Sequence, residues 1–145
     1  SAALGCAAAA QIPLTHRDMA QAVTFVTGHA SLGEEPDLDW DALARGNQTV
    51  VVFMGVGAAD AIQMRLIAAG RDPLTPVAVI ENGTRANEKR AYGVLGELSG
   101  VIQANGILGP ALLVIGDVTA LGVGAPAKRT AKEKPPLSKL WSLLS

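Results

Sequence analysis

Hydrophobic positions along the chain fall into two patterns, short continuous apolar runs and longer stretches with helical spacing. The runs are rich in β-branched residues, and runs that are apolar at nearly every position are typical of strands covered on both faces. Helical spacing is clearest from Ala58 to Ala69, where Ile62 and Leu66 recur on one side and Gly70 follows as a stop signal. The chain therefore mixes strands with helices.

The order of these segments predicts an α/β fold. Strands are predicted in five segments, AVTFVTGH, TVVVFM, PVAVIENG, KRAYGV and PALLVIGDV, with KRAYGV antiparallel to the strand before it. Helices are predicted over Ala2–Ala10, around Trp40–Ala44, over 58–69 and in LGELSGVIQANG. Pro13 marks the end of the first of these helices. The polar stretch ASLGEEPDLD is predicted to be an exposed loop. Strands that alternate with helices indicate a mixed β-sheet flanked by helices.

The composition changes at Gly122. The stretch GAPAKRTAKEKPP is too poor in large apolar side chains to form a core. We therefore expect a folded lobe over residues 1–121 and a flexible basic Ala/Pro/Lys tail over 122–145. The terminal LSKLWSLLS fits a short docking helix and disorder equally well.

Composition and charge exclude several function classes. The 145 residues, 49% of them hydrophobic, suffice for one domain or one lobe of a larger enzyme. A net charge of -1 provides no basic field for nucleic acid, and no apolar run approaches the roughly 20 residues that span a membrane. The single cysteine, Cys6, indicates a reducing cytoplasm, and no HxxxH or CxxC spacing offers a metal site.

Glycine follows three of the predicted strands, in FMGVG, IENGT and VIGDV. Ligands of open α/β sheets collect beyond the carboxyl ends of strands, where glycine lets them approach the main chain. Each signal is weak alone, because glycine after a strand is usually a turn. MGVGAAD is not a phosphate-binding loop, since it has neither the lysine nor the Ser/Thr of that motif.

Four stretches together resemble a known family. GCAAAAQIPLTHRDMAQAVTFVTGH, QTVVVFMGVGAADAIQMRLIAAG, PVAVIENGTRANEKRAYGVLGEL and PALLVIGDV are similar, in order, to the C-terminal half of the uroporphyrinogen-III C-methyltransferases, S-adenosylmethionine-dependent tetrapyrrole methylases. The resemblance covers residues 1–121. It implies the C-terminal lobe of the two-domain tetrapyrrole methylase fold, with an N-terminal lobe that is absent from this chain.

The resemblance also implies an activity. The family transfers methyl groups from S-adenosyl-L-methionine to carbon atoms of uroporphyrinogen III, which yields precorrin-2 for siroheme and cobalamin and leaves S-adenosyl-L-homocysteine. Two alternatives stay open: another methylase of the same fold acting on a precorrin or on ribosomal RNA, and a non-catalytic binding domain. No catalytic residue is assigned, because the family's best candidates lie in the N-terminal lobe.

Four positions match the family's cofactor contacts. These are Ser1, Ala2, Met54 and Gly83, and the resemblance implies that they hold the cofactor largely through main-chain atoms. Without the family resemblance, Met54 would be interpreted as an ordinary core methionine. Gly83 fits a plain turn, and Ser1 fits a helix cap or a frayed terminus.

Two further positions are implied to bind the acidic macrocycle. Arg17 would bind an acetate or propionate with its planar guanidinium, and His29 would face the same pocket. The residues alone favour a simpler explanation, in which the loop around Arg17 only caps the next element. His16 fits either a substrate contact or a hydrogen bond that holds the loop.

The segment TRANEKR supplies three more cations, Arg85, Lys89 and Arg90. We interpret it as a solvated hairpin turn and leave these residues outside the predicted site. A homodimer is expected from the family, with the strand PALLVIGDV and the terminal LSKLWSLLS as the apolar surface for it.

Overall fold

The structure is a computed structural model that describes residues 2–29 and 34–128. Its helices and strands, in chain order, are α1 (Ala2–Ala9), β1 (Ala22–Thr27), α2 (Trp40–Ala44), β2 (Gln48–Phe53), α3 (Ala59–Ala68), β3 (Pro76–Glu81), β4 (Lys89–Val94), α4 (Leu98–Ala104) and β5 (Ala111–Ile115). Three short 3₁₀ helices follow β2, β4 and β5, over Val56–Ala58, Leu95–Glu97 and Asp117–Leu121. Every predicted strand and helix is confirmed, within one to three residues at its ends.

The strands form one mixed sheet in the order β1-β2-β5-β3-β4. β1 is parallel to β2, and β5 is antiparallel to both β2 and β3, so that β1, β2 and β3 run in the same direction. β4 is antiparallel to β3, as the sequence predicts. We call the end of the sheet at which β1, β2 and β3 finish the carboxyl end, and the opposite one the amino end.

Both faces of the sheet are covered, which explains the continuous apolar runs. On one face, Val50 and Val52 of β2 pack with residues of α2, α3 and α4. On the other face, Val51 packs beneath α1 and the 3₁₀ helix over Asp117–Leu121. Successive side chains of a strand point to opposite faces, so a strand buried on both must be apolar throughout.

Helix α1 lies close to the sheet because its contact face is made of alanine. Ala3, Ala7 and Ala10 are at most 3% exposed. The helix begins at the carboxyl end, where Gly5 lies near Thr84. The chain that follows it reaches the amino end, where the Thr49 hydroxyl donates to the Leu14 carbonyl at 2.7 Å.

Strand β5 does not provide a surface for association, which corrects the prediction made for PALLVIGDV. It lies in the middle of the sheet, and all five of its residues are buried. The period of a strand's apolar residues indicates burial but does not say whether another chain or the same chain covers it. The other half of that prediction, LSKLWSLLS, lies outside the described residues.

The first part of the predicted tail contacts the fold at Val123 and Lys128. The Val123 N–H donates to the Ala10 carbonyl at 2.9 Å, and the Tyr92 hydroxyl donates to the Val123 carbonyl at 2.9 Å. The Lys128 ammonium lies 2.8 Å from the Asp117 carboxylate. Flexibility of the tail stays a prediction for residues 129–145, which are not described. Within the described ranges, no helix is both long enough and apolar enough to cross a membrane.

Candidate functional site

A cleft of about 300 Å³ opens at the carboxyl end of the sheet, between the ends of β2 and β3 and the start of β5. Its rim is formed by Met54 after β2 and by Asn82, Gly83 and Arg85 after β3. Its walls are mainly apolar and include Cys6, Phe53, Ile80, Pro110 and Leu112. Such a site can take a flat apolar group whose polar edge faces the rim.

Three residues at this rim adopt left-handed backbone conformations. Met54 has φ of 53°, Asn82 of 51° and Thr84 of 69°. For a residue other than glycine or asparagine this conformation costs about 1–2 kcal/mol, and such strain is concentrated at functional sites. The backbone therefore turns sharply out of both strands at the point where the cleft opens.

These turns leave main-chain groups available. Within the described part of the chain, the N–H and C=O groups of Met54 and Gly83 make no hydrogen bond to another residue. Each carries a donor and an acceptor beside an apolar cleft, which suits the edge of a heterocyclic base.

Gly83 is required by space rather than by conformation. A Cβ at this position would overlap the Sγ of Cys6 on α1. The plain-turn explanation of Gly83 is therefore incomplete, because a turn alone would not exclude alanine. The contact also brings α1 against the turn after β3.

The turn after β3 is held by its own hydrogen bonds. The Arg85 N–H donates to the Asn82 carbonyl at 3.1 Å, and the Thr84 N–H donates to Oε1 of Glu88 at 2.8 Å. Oε2 of Glu88 lies 2.6 Å from Nε of Arg90, and another guanidinium nitrogen of Arg90 donates to the Ala9 carbonyl at 2.9 Å. Arg90 thus ties the turn to α1.

The loop before β5 is held by a buried carboxylate. Oε1 of Glu81 accepts the N–H groups of Gly109 at 2.7 Å and Leu108 at 3.1 Å. The hydrogen bond from Gly109 is the main cause that holds the pKa of Glu81 below its ordinary value. The hydrogen bond from Leu108 and the charge of Lys89 also lower this pKa, whereas burial raises it. Glu81 therefore positions the start of β5, which forms part of the cleft.

The thiol of Cys6 is neutral in this environment. Burial is the main cause that raises its pKa, Glu88 raises it further, and Arg90 lowers it. Cys6 therefore serves as an apolar wall and not as a thiolate.

The structure brings two predicted cofactor residues together. Met54 and Gly83 line the same cleft, and Met54 is 58% exposed, so its interpretation as a core methionine is wrong. Ala2 begins α1, and Gly5 and Cys6, one turn later, contact the turn after β3. Ser1 lies outside the described residues.

The two predicted substrate residues lie at opposite ends of the sheet. His29 is exposed at the carboxyl end, where its N–H donates to the Thr27 hydroxyl at 3.4 Å, but it does not line the cleft. Arg17 is exposed near the amino end. Its carbonyl accepts a hydrogen bond from the side-chain amide of Gln21, and the main-chain N–H of Gln21 donates to the carbonyl of Asn47, just before β2. Six residues of β2 separate the two ends by about 20 Å. The structure therefore does not bring Arg17 to the cleft.

His16 takes part in holding its own loop. Its Nδ1 accepts the Asp18 N–H at 3.1 Å, and its main chain pairs with Ala20. This agrees with the alternative in which His16 holds the loop by a hydrogen bond.

Sequence reasoning left one rim residue out of the site. Arg85 lines the cleft, whereas Lys89 lies 4.0 Å from the Glu81 carboxylate and Arg90 pairs with Glu88. The available signal was its position two residues after Gly83. A hairpin turn does not by itself show which of its side chains face inward.

A second cavity, of about 320 Å³, lies along the edge strand β4. It is lined by Tyr92 and by residues 125–128 among others, far along the sheet from Met54 and Gly83. Burial is the main cause that raises the pKa of Tyr92. Because its hydroxyl is bonded to the Val123 carbonyl, this residue serves to anchor the chain after β5.

Comparison with known proteins gives consistent matches. The family described as Tetrapyrrole (Corrin/Porphyrin) Methylases matches residues 1–99. Siroheme synthase from Pseudoalteromonas translucida (strain TAC 125) is 52% identical over 121 residues, which are 83% of this chain and 25% of that protein. Siroheme synthase from Psychromonas ingrahamii is 47% identical over 139 residues, 96% of this chain and 29% of that protein. The chain thus spans about a quarter of the length of these relatives.

Solved structures show the same relationship. The Thermus thermophilus uroporphyrin-III C-methyl transferase, solved in complex with S-adenosyl homocysteine, has a TM-score of 0.64 and 35% identity over 78% of this chain and 49% of its own. A cobalt precorrin-4 methyltransferase has a TM-score of 0.73 over 82% of this chain and 50% of its own, but at 24% identity it shows a likeness of fold alone. The predicted fold is confirmed, and the predicted cofactor is confirmed for the family by the Thermus complex.

Proposed function

The chain belongs to the tetrapyrrole methylase family, and on this basis we propose that it forms part of an enzyme that methylates uroporphyrinogen III to precorrin-2, for siroheme or cobalamin synthesis. One observation carries the proposal. Met54 and Gly83, distant in sequence, present free main-chain groups at one apolar cleft, in a chain 35% identical to a protein solved with S-adenosyl homocysteine.

The residues of the cleft fit an adenosyl group. The apolar walls at Phe53, Ile80 and Leu112 suit the faces of an adenine ring, and its edge needs a donor and an acceptor at fixed positions. Met54 and Gly83 offer these from the backbone, which loses no side-chain entropy on binding. We propose that these two residues hold the cofactor, together with Ala2 at the start of α1 and with Ser1, which precedes it in the sequence.

The chain's contribution to the chemistry is positioning. Bound S-adenosylmethionine would supply an electrophilic methyl group on a sulfonium. The residues at the carboxyl end then have to hold the acceptor carbon in line with it, and proximity of this kind lowers a barrier by several kcal/mol, up to about 7–11. The apolar walls exclude water from one side of the site. We assign no proton acceptor among the described residues.

Substrate contacts are proposed only where the geometry supports them. His29 lies at the same end of the sheet as the cleft and is exposed, so it can contact an acidic macrocycle above the rim. Arg17 lies near the amino end. Its substrate role stays a sequence prediction that the cleft does not support, and we leave it out of the proposed site.

The test uses the complete protein and two measurements. Calorimetric titration with S-adenosylhomocysteine should give saturable heat, and ligand at 100 times its dissociation constant should stabilise the fold by about 2.7 kcal/mol. Incubation with S-adenosylmethionine and uroporphyrinogen III should give a product that carries two added methyl groups, with one proton released for each transfer. Absence of binding heat and of stabilisation would overturn the cofactor assignment. Methylation of another tetrapyrrole but not of uroporphyrinogen III would overturn the proposed substrate.

The expected homodimer also stays a proposal. The edge strand β1 offers an apolar surface for it, because Phe25 is 47% exposed beside Phe53, with their ring centroids 6.3 Å apart. A monomer mass in light scattering at micromolar concentration would contradict the proposal.

A further inference from the structure

Arg85 is distinguished by its place in the cleft. Every other described residue that lines the cleft is apolar or neutral, so Arg85 is the one described lining residue with a charged side chain. A ligand bound against the apolar walls would exclude solvent from part of this exposed side chain, and opposite charges attract more strongly where the local dielectric constant is lower. The cleft is therefore electrostatically suited to an anion.

The Arg85 guanidinium has no partner in the described part of the chain: no ion pair or hydrogen bond joins it to another described residue. The nearest carboxylate along the chain, Glu88, is already engaged by the Thr84 N–H and by Arg90. The other two cations of this hairpin, Lys89 and Arg90, each face a carboxylate of their own. Arg85 is thus left free to meet a ligand.

The main chain of Arg85 is fixed even though its side chain is exposed. Its N–H donates to the Asn82 carbonyl at 3.1 Å, and its own carbonyl accepts the Glu88 N–H at 3.1 Å. Gly83, inside this turn, is pinned against Cys6. The guanidinium therefore starts from a fixed point two residues from a proposed cofactor contact.

We propose that Arg85 binds a carboxylate of the ligand that occupies this cleft. The proposal rests on the function proposed above, which supplies two sources of that group: the amino-acid end of the cofactor and the acetate or propionate side chains of the tetrapyrrole. A guanidinium matches a carboxylate with two parallel hydrogen bonds, which an ammonium cannot reproduce.

The experiment compares the wild type with Arg85→Gln and Arg85→Lys in the complete protein. The probes are S-adenosylhomocysteine, 5′-methylthioadenosine, which lacks the carboxylate, and uroporphyrinogen III. Arg45→Gln is the matched control, because Arg45 is an exposed arginine at the amino end, close to Gln48. Loss of the charged hydrogen bonds should raise the dissociation constant for the carboxylate-bearing probe about tenfold or more.

The pattern across probes identifies the source of the carboxylate. Weaker S-adenosylhomocysteine binding by Arg85→Gln with unchanged 5′-methylthioadenosine binding supports the cofactor carboxylate. Unchanged nucleoside binding with weaker uroporphyrinogen III binding supports the macrocycle. In either case Arg85→Lys should recover only part of the affinity and Arg45→Gln should bind like the wild type.

Two results overturn the inference, and they differ. If Arg85→Gln binds all three probes as tightly as the wild type, the role of Arg85 is wrong while the proposed function stands. If the wild type itself binds neither S-adenosylhomocysteine nor uroporphyrinogen III, the proposed function fails and the inference fails with it.

Discussion

Gly83 and Cys6 are in direct contact, the Cα of the glycine against the Sγ of the cysteine, and this contact joins the turn after β3 to α1. It forms one side of the cleft in which the cofactor is proposed to bind. Three chain segments distant in sequence, at Cys6, Met54 and Gly83, therefore depend on one another for the shape of that site.

Replacement of Gly83 by alanine should disturb this contact. The new methyl group would overlap Sγ of Cys6, so we expect a loss of about 1–3 kcal/mol in the free energy of unfolding and weaker S-adenosylhomocysteine binding. Urea unfolding and calorimetry measure the two effects. The double variant Gly83→Ala/Cys6→Ala should recover most of the stability. Gly46→Ala is the control, because a Cβ there would meet no atom within 4 Å. Equal behaviour of Gly83→Ala and Gly46→Ala would contradict the packing argument.

Recognition through the main chain of Met54 can be tested by changing its side chain. Asparagine tolerates a left-handed φ of 53°, so Met54→Asn should keep the dissociation constant of S-adenosylhomocysteine within about threefold. A β-branched residue resists this conformation, so Met54→Val should weaken binding and destabilise the fold by about 1–2 kcal/mol. Strong loss of affinity in Met54→Asn would show instead that the methionine side chain binds the cofactor.

The Glu81 carboxylate should make stability depend on pH in the acid range. The N–H of Gly109, followed by that of Leu108, lowers its pKa in the folded state below the ordinary 4.5. A group whose pKa is lowered on folding stabilises the protein fully above its unfolded pKa. That contribution is lost as the pH falls through the lower folded value. The difference in unfolding free energy between wild type and Glu81→Gln should therefore be largest at neutral pH and shrink below about pH 4.5. A difference that does not change between pH 3 and pH 7 would contradict the assignment.

Arg71 should be important for stability and not for the cleft. It is 7% exposed, and its guanidinium donates to the carbonyls of Arg45 at 2.6 Å and Gln48 at 3.3 Å at the amino end. Burial lowers its pKa, while Asp117 and Asp72 act in the opposite direction. Arg71→Met would remove one of the two donors to the Arg45 carbonyl, which also accepts from the Gln48 side chain at 3.1 Å, and the side-chain donor to the Gln48 carbonyl. We therefore expect a loss of about 2–4 kcal/mol in denaturant unfolding. Its affinity for S-adenosylhomocysteine, measured below the unfolding transition, should equal that of the wild type. The exposed Arg45→Met is the comparison and should change stability by less than about 0.5 kcal/mol.

The sequence by itself determined the strands and helices, because burial on one or two faces imposes a local period. The continuous apolar run of β2 and the helical spacing of Ile62 and Leu66 are visible without knowing their neighbours. The glycines that follow strands, together with the family resemblance, also indicated Met54 and Gly83 as cofactor contacts.

Only the tertiary structure decided which of these positions meet. Strand order and direction bring the ends of β2 and β3 to one cleft and place Arg17 near the other end of the sheet, although Arg17 and Met54 belong to one family pattern. Strand β5 became central because β2 and β3 both pair with it, and no local pattern encodes that. Arg85 lines the cleft without an ion-pair partner among the described residues, because Glu88 already binds Arg90 and the Thr84 N–H. Hydrophobic periodicity records how deeply a residue is buried, whereas contacts between ends of different strands depend on a pairing that forms only in the folded chain.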